Sequence, residues 1–169
     1  MTKPTASAAG ALAIALCTFT AAADADVVAE AKIRALEARF AAAFNAKDVD
    51  AIMKVYVPDN SLVVFDVIPP RQYVGAQAYR KDREKFFSMF KGPVNFEISD
   101  LAIMAGRTRA YSHSIQRVTG TDVNDRSIDL TVRVTDVYHR IKGQWLIEHE
   151  HISVPVDLDT GKPDLASKP

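Results

Sequence analysis

The chain is poor in cysteine and shows no excess of charge of either sign. Cys17 is the single cysteine among 169 residues, and it lies in an alanine-rich leader. Removal of that leader would leave neither disulfides nor a catalytic thiol. Basic and acidic residues number 21 each, and no basic stripe is present. Binding to nucleic acid is therefore not expected.

Motifs for common cofactors are also missing. The sequence has no glycine-rich phosphate loop and no serine-nucleophile motif. His149-Glu150-His151 suggests a metal site, but strand alternation holds its two histidines ~7 Å apart. No third ligand follows at a helical spacing. We therefore expect no cofactor and no metal.

The first 25 residues differ in composition from the rest. Lys3 supplies a positive start, Ala8 to Ala23 is small and apolar, and Ala23-Asp24-Ala25 resembles a signal-peptide cleavage site. The alternative is an anchoring transmembrane helix, but the apolar run is short for one. We expect export to the periplasm or beyond, with no membrane attachment after cleavage. The predicted divisions are a signal peptide, a folded domain and a flexible tail: residues 1–25, 26–157 and 158–169.

Helical periodicity precedes strand periodicity along the mature chain. Apolar spacing predicts one helix from Asp24 or Asp26 to Phe44, a short second helix capped by Asp48, and a third over about 76–90. A strand at 62–67 lies between the helices. The remaining strands are predicted at 94–104, 109–119, 127–141 and 144–156. This order predicts an α+β fold, in which a cone-shaped, curved antiparallel sheet wraps around three N-terminal helices as in a cystatin-like roll.

The last two strands form a hairpin that carries six ionisable residues: Asp136, His139, Glu148, His149, Glu150 and His151. Burying such groups costs free energy unless they pair or line a wet cavity. Lysine is unfavourable at positive φ, so a three-residue turn over 141–143 is expected, with Gly143 alone in that region. This register places Asp136 opposite Glu148. It also turns Asp136 and Glu150 toward the helices, and His149 and His151 away from them.

The chain resembles the nuclear-transport-factor-2-like superfamily in its SnoaL-like, ketosteroid-isomerase-like branch. Three segments carry the resemblance: ARFAAAFNAKDVDAIMKVYVPD (38–59), VGAQAYR (74–80), and TDVYHRIKGQW followed by HEHISVP (135–155). It implies a cone-shaped α+β barrel, commonly a homodimer built through the sheets. It also implies a small-molecule pocket inside the cone.

Three positions link the chain to the ketosteroid isomerases. Their oxyanion tyrosine matches Phe40, and their general-base aspartate matches Val64, so both of those groups are replaced here. Their second, protonated aspartate matches Asp136. The kinase association domain of calmodulin-dependent kinase resembles the same hairpin, with an arginine at the Asp136 position and a pocket that binds small acids. The fold can therefore bind small molecules without catalysis.

Asp136 is the first catalytic candidate, because burial and a neighbouring carboxylate would raise its pKa and favour a neutral acid. Asp66 and His113 are further catalytic candidates. Their structural alternatives are a turn residue for Asp66 and a core histidine for His113. The predicted ligand contacts are Tyr56, Phe40, Tyr73, Phe86 and Glu150.

Two functions remain open from the sequence. One is an exported isomerase, cyclase or hydratase that uses carboxylate acid–base chemistry on a small apolar or carboxylic-acid ligand. The other is a non-catalytic ligand-binding or oligomerisation module. Asp66 together with Asp136 favours the enzyme, whereas Phe40 and Val64 favour the binder.

Overall fold

The computed structural model describes residues 13–167, with side chains from residue 27 onward. Its helices are α1 (Ala13–Asn45), α2 (Val49–Met53) and α3 (Ala76–Ser88). Its strands are β1 (Val63–Phe65), β2 (Tyr73–Val74), β3 (Phe90–Ala105), β4 (Arg109–Asp122), β5 (Ser127–Ile141) and β6 (Gln144–Ser153).

Helix α1 begins before the predicted starts at Asp24 and Asp26. The preceding alanines have high helix propensity, so the helix continues through those residues. The predicted cleavable leader lies outside the residues whose side chains are described. Within the described part of the chain, no helix is both long and apolar enough to cross a membrane. The cap of α2 is as predicted, with the Asp48 side chain accepting from the Ala51 N–H.

The six strands form one curved, open sheet in the order β2-β1-β6-β5-β4-β3. Strands β3 to β6 make an antiparallel meander, whereas β1 joins β6 in parallel. The helices cover the concave face, so the predicted α+β cone is confirmed. The tail that follows β6 contacts the sheet where its Leu165 carbonyl accepts from the N–H of Thr131 in β5. The flexibility of the tail stays a prediction.

Asn45, the last residue of α1, ties that helix to the edge of the sheet. The Phe96 N–H donates to Asn45 Oδ1 at 2.7 Å, and Asn45 Nδ2 donates to the Phe96 carbonyl at 3.1 Å. The amide thus satisfies both backbone groups of one β3 residue, as a neighbouring strand would. Beside it, the Phe44 and Phe96 rings stack with centroids 4.3 Å apart. These contacts fix α1 against the inner face.

The β5–β6 turn has two residues, so the predicted three-residue turn is wrong. Ile141 pairs with Gln144, and both Lys142 (φ 49°) and Gly143 (φ 84°) adopt positive φ. A type I′ turn matches the twist of the flanking strands. That match outweighs the cost of placing a lysine in the left-handed region.

A β-bulge at Glu148 then changes the register. Tyr138 pairs with Ile147, whereas Val137 pairs with His149. Asp136 is consequently opposite Glu150, and its predicted pairing with Glu148 is wrong. Asp136 and Glu150 are both buried on the helix-facing side, as predicted. The bulge alters the alternation of β6, so that Trp145 and Ile147 also face the core.

Candidate functional site

A cavity of about 200 Å³ lies between the helices and the concave face of the sheet. Much of its wall is aromatic, from Phe40, Phe44, Phe86, Phe90 and Phe96. Its charged wall residues are Asp66, Arg83 and Glu150. An apolar chamber with a few placed polar groups is the usual form of a small-molecule site. Phe40, Phe86, Asp66 and Glu150, all predicted from the sequence, meet at this cavity.

Glu150 is held by two buried tyrosines. The Tyr56 hydroxyl donates to Glu150 Oε2 at 2.7 Å, and the Tyr79 hydroxyl donates to Oε1. Burial raises the pKa of Glu150, while Arg83 and the two hydroxyls oppose that rise. Hydrogen bonds to an ionised acceptor are stronger than neutral ones. The tyrosines therefore fix the orientation of a carboxylate at the cavity wall.

Arg83 is the cation of this site. Its Nη2 donates to Asp66 Oδ2 at 2.8 Å and to Asp82 Oδ2 at 3.0 Å. Its guanidinium carbon lies 4.6 Å from the centre of the Tyr79 ring. Burial alone would lower the pKa of Arg83, but neighbouring acidic groups raise it overall, so the side chain stays charged. Tyr73 completes the cluster by donating to Asp82 Oδ1 at 2.7 Å.

Asp136 lies directly across the strands from Glu150, and its residue is 2% exposed. Its Oδ1 has no hydrogen-bond partner. Burial raises the pKa of Asp136 well above its usual range, and the charges of Glu150 and Glu37 add to the effect. Both effects favour the protonated form of Asp136. It lies beside the cavity-facing carboxylate, but it is not among the cavity-wall residues.

A further buried carboxyl comes from α1. Glu37 accepts from the Tyr138 hydroxyl at 2.7 Å, and that hydroxyl lies 2.8 Å from Ser112 Oγ. Burial raises the pKa of Glu37 from 4.5 to about 7. Glu37 can therefore release or take up a proton near neutral pH. Glu37, Asp136 and Glu150 form what we call the carboxyl triad.

The structure does not bring His113 into this site. His113 lies on the outer face of β4, where it is exposed and pairs with Thr135 of β5. The alternation of β4 turns Ser112, Ser114 and Gln116 inward instead. The structural alternative, a core histidine, also disagrees with the structure, because His113 is exposed in the described chain.

Sequence reasoning missed several members of the site: Glu37, Tyr79, Asp82 and Arg83. Arg83 and its neighbours lie in a run of charged residues at 80–85, which has the composition of a solvated helix face. A signal was present, because Tyr79, Arg83 and Phe86 recur at spacings of four and three residues. That spacing marks one helix face, and α3 buries both Tyr79 and Arg83.

The family comparison agrees with the fold. The family model described as a SnoaL-like domain matches residues 33–157, most of the chain. The protein therefore belongs to the SnoaL-like domain family, and its structure places it in the nuclear-transport-factor-2-like superfamily. A search of the curated proteins finds no match.

Several solved structures share this architecture. A nuclear-transport-factor-2-like protein of unknown function from Pseudomonas putida is 34% identical, with a TM-score of 0.76 over 85% of this chain and 98% of that one. A proposed scytalone dehydratase from Novosphingobium aromaticivorans is 18% identical (TM-score 0.70, 79% and 89%). A ketosteroid isomerase-like protein from Erwinia carotovora is 19% identical (0.62, 73% and 93%). The last two show a shared fold alone.

Proposed function

We propose that the protein is a cofactor-independent enzyme that transfers protons on a small molecule, as an isomerase, cyclase or hydratase. The observation that carries this proposal is the Glu150 carboxylate, fixed by two tyrosines at the wall of an apolar cavity. A general base must be positioned, and its pKa must approach the working pH. Glu150 has the position, and burial raises its pKa.

In the proposed reaction, Glu150 removes a proton from carbon next to a substrate carbonyl. The C–H electron pair forms a C=C bond to the carbonyl carbon, and the C=O π pair moves onto oxygen. In a substrate with a β,γ C=C bond, the oxygen pair then reforms the C=O bond, the double bond moves to the α,β position, and the γ-carbon takes the proton from Glu150. Arg83 Nε, a buried donor without a hydrogen-bond partner, is the group proposed to stabilise the negative charge that develops on that oxygen. Asp136 acts as a positioning residue, because in its neutral form it leaves Glu150 as the ionised member of the cross-strand pair.

The position of Glu150 also suits a role that Val64 cannot fill. Val64, which matches the general-base aspartate of the ketosteroid isomerases, pairs directly with Glu150 across β1 and β6. A carboxylate is therefore present on the adjacent strand. The proposed base therefore lies on β6, one strand away from the β1 position that matches the isomerase aspartate.

The size of the cavity limits the substrate. An apolar cavity of about 150 Å³ holds benzene, and the cavity here measures about 200 Å³. We therefore propose a single-ring substrate rather than a four-ring steroid. A small apolar compound suits the aromatic wall.

Proton exchange provides the test. Cyclohexanone in D₂O should exchange its α-protons faster with the wild-type protein, as followed by NMR. Glu150→Gln keeps the side-chain shape and an acceptor for one of the two tyrosines but removes the base, so exchange should fall to the background rate. Glu148→Gln is the matched control and should exchange like wild type. Wild-type exchange from Glu150→Gln would exclude Glu150 as the base.

The second candidate is a binding module without catalysis. Phe40 supports it, because no hydroxyl is available where the isomerases carry their oxyanion tyrosine. The same NMR samples separate the two functions. Line broadening of the ligand without α-proton exchange would indicate binding alone.

We also propose export to the periplasm or beyond, and a homodimer formed through the outer face of the sheet. The leader composition supports export, and N-terminal sequencing of secreted protein tests it.

The outer face exposes Phe65 (38%), Met104 (59%) and Tyr111 (47%), which supports a dimer. Light scattering should report twice the chain mass, and a Tyr111→Glu variant should run as a monomer.

A further inference from the structure

The charge balance around the cavity points to the chemical class of its ligand. We infer that the cavity takes a single-ring compound carrying an ammonium group in preference to neutral or anionic compounds of the same shape. This inference rests on the cavity being the binding site of the proposed function.

The buried acidic groups outnumber the buried cation. Arg83 pairs with Asp66 and Asp82, and these three side chains are 8%, 6% and 4% exposed. Glu150 adds a third carboxylate whose hydrogen-bond donors, Tyr56 and Tyr79, are uncharged. With all three carboxylates ionised, the group carries two negative charges in excess. The carboxyls of Asp136 and Glu37 behind it can only increase that excess.

Excess charge in a buried site acts directly on a ligand. Charges interact more strongly at the low effective dielectric of an interior than in water. A buried ion is also costly unless an opposite charge compensates it. An ammonium group in the cavity compensates part of the excess, a neutral group leaves it unchanged, and a carboxylate increases it.

The aromatic wall favours the same ligand independently of the acids. Ring faces attract cations, and aromatic residues are a common site for ammonium groups. Arg83 already uses this interaction, with its guanidinium carbon 4.6 Å from the Tyr79 ring centre and 5.4 Å from that of Phe86. Phe86 also lines the cavity, together with Phe40 and Phe96.

A carboxylic acid, the other ligand class expected from the sequence, fits the site poorly. Its natural partner would be Arg83, but Arg83 Nη2 already donates to Asp66 and Asp82. Arg83 Nε has no hydrogen-bond partner, so an anion can still contact the guanidinium, but the charge of that guanidinium is already compensated by the two carboxylates. A bound carboxylate would therefore add a buried negative charge that no second cation among the described wall residues offsets.

Three compounds of similar shape provide the test: benzylamine, benzyl alcohol and benzoate. Their affinities for the full chain are measured by calorimetry at pH 7.5. Benzylamine should bind about tenfold or more tightly than benzyl alcohol, with benzoate weakest. Benzoate binding as tightly as benzylamine would overturn the charge inference and leave the cavity as the binding site. No binding by any of the three would overturn the proposed function as well.

Two variants test the source of the preference. Asp66→Asn removes one negative charge from the wall, so the affinity ratio of benzylamine to benzyl alcohol should fall several-fold. Glu150→Gln should act in the same direction and serves if Asp66→Asn does not fold. Glu148→Gln, on the outer face, should leave the ratio unchanged. If the wild type and all three variants gave the same affinity ratio of benzylamine to benzyl alcohol, the inference would be overturned.

Discussion

Two glutamates of β6, two residues apart, show how differently the faces of the sheet treat the same side chain. Glu150 faces the helices, is 3% exposed, and accepts hydrogen bonds from two tyrosines. Glu148 lies at the bulge on the outer side. Arg109 Nε is 2.9 Å from Glu148 Oε1, and His139 Nδ1 is 3.2 Å from Glu148 Oε2. Its side chain is 23% exposed.

The two glutamates differ in the number of neighbouring cations and in their contact with water. The outer glutamate has two basic neighbours, Arg109 and His139, and is partly open to solvent. The inner glutamate shares one buried arginine with Asp66 and Asp82 and has Asp136 opposite it. Burial raises the pKa values on the inner side, the neighbouring carboxylates add to the rise at Asp136 and Glu37, and raised pKa values are characteristic of functional sites.

The largest expected effect comes from removing the inner cation. Arg83→Met keeps much of the side-chain volume but leaves Asp66 and Asp82 buried without their ion pair. Breaking a buried pair in this way typically costs about 3–5 kcal/mol. Urea denaturation at pH 7 should show a loss of that size in the free energy of unfolding.

Arg109→Met is the outer counterpart. Arg109 is 52% exposed where it pairs with Glu148, and exposed pairs contribute about 1 kcal/mol or less. If both variants lost the same stability, the contrast between the two faces would be wrong.

A smaller effect should appear in the pH dependence of stability. The pKa of Glu37 is about 7 in the folded protein against an ordinary value of 4.5. Between these pH values the folded state retains a proton that the unfolded state has released. The Glu37 contribution is therefore full below pH 4.5 and is lost as the pH rises through about 7. A pKa difference of this size corresponds to a change of about 3 kcal/mol in the free energy of unfolding.

Glu37→Gln should flatten that part of the pH profile. Glutamine still accepts from the Tyr138 hydroxyl but cannot ionise. Urea denaturation at pH 5 and pH 7.5 measures the change, and the outer-face variant Glu148→Gln should keep the wild-type slope. An unchanged slope in Glu37→Gln would assign the titration to Asp136 or Glu150.

The smallest expected effect concerns the turn that joins the two strands. Lys142 occupies a positive-φ position that asparagine tolerates better. Lys142→Asn should therefore raise the free energy of unfolding by a few tenths of a kcal/mol, roughly the size of such turn effects. Lys162→Asn, in the polar tail, controls for the loss of charge. A destabilised Lys142→Asn would argue against the two-residue turn.

Much of the fold follows from periodicity. The bounds predicted for β5, 127–141, are those of the structure. The pairing in the terminal hairpin was not predictable to the residue. A two-residue turn shifts the register by one, and the bulge at Glu148 shifts it by one more. The two shifts together restore the predicted faces of Asp136 and Glu150 but not those of Trp145 and Ile147.

The site was less accessible to sequence reasoning than the fold. A carboxyl on an apolar strand, such as Asp136, violates alternation and is therefore visible. Glu37 and Arg83 lie on helices, where charged residues are ordinary. Their burial depends on how α1 and α3 lie against the sheet, and local sequence does not contain that arrangement.

The amide of Asn45 has a consequence for solubility. β3 is sixteen residues long and lies at one end of the sheet, and open strand edges of this kind recruit other chains and lead to aggregation. Asn45 occupies the free N–H and carbonyl of Phe96, so an approaching strand finds no vacant partner at this residue. One side chain at a helix end thereby guards the molecule against self-association along its longest strand.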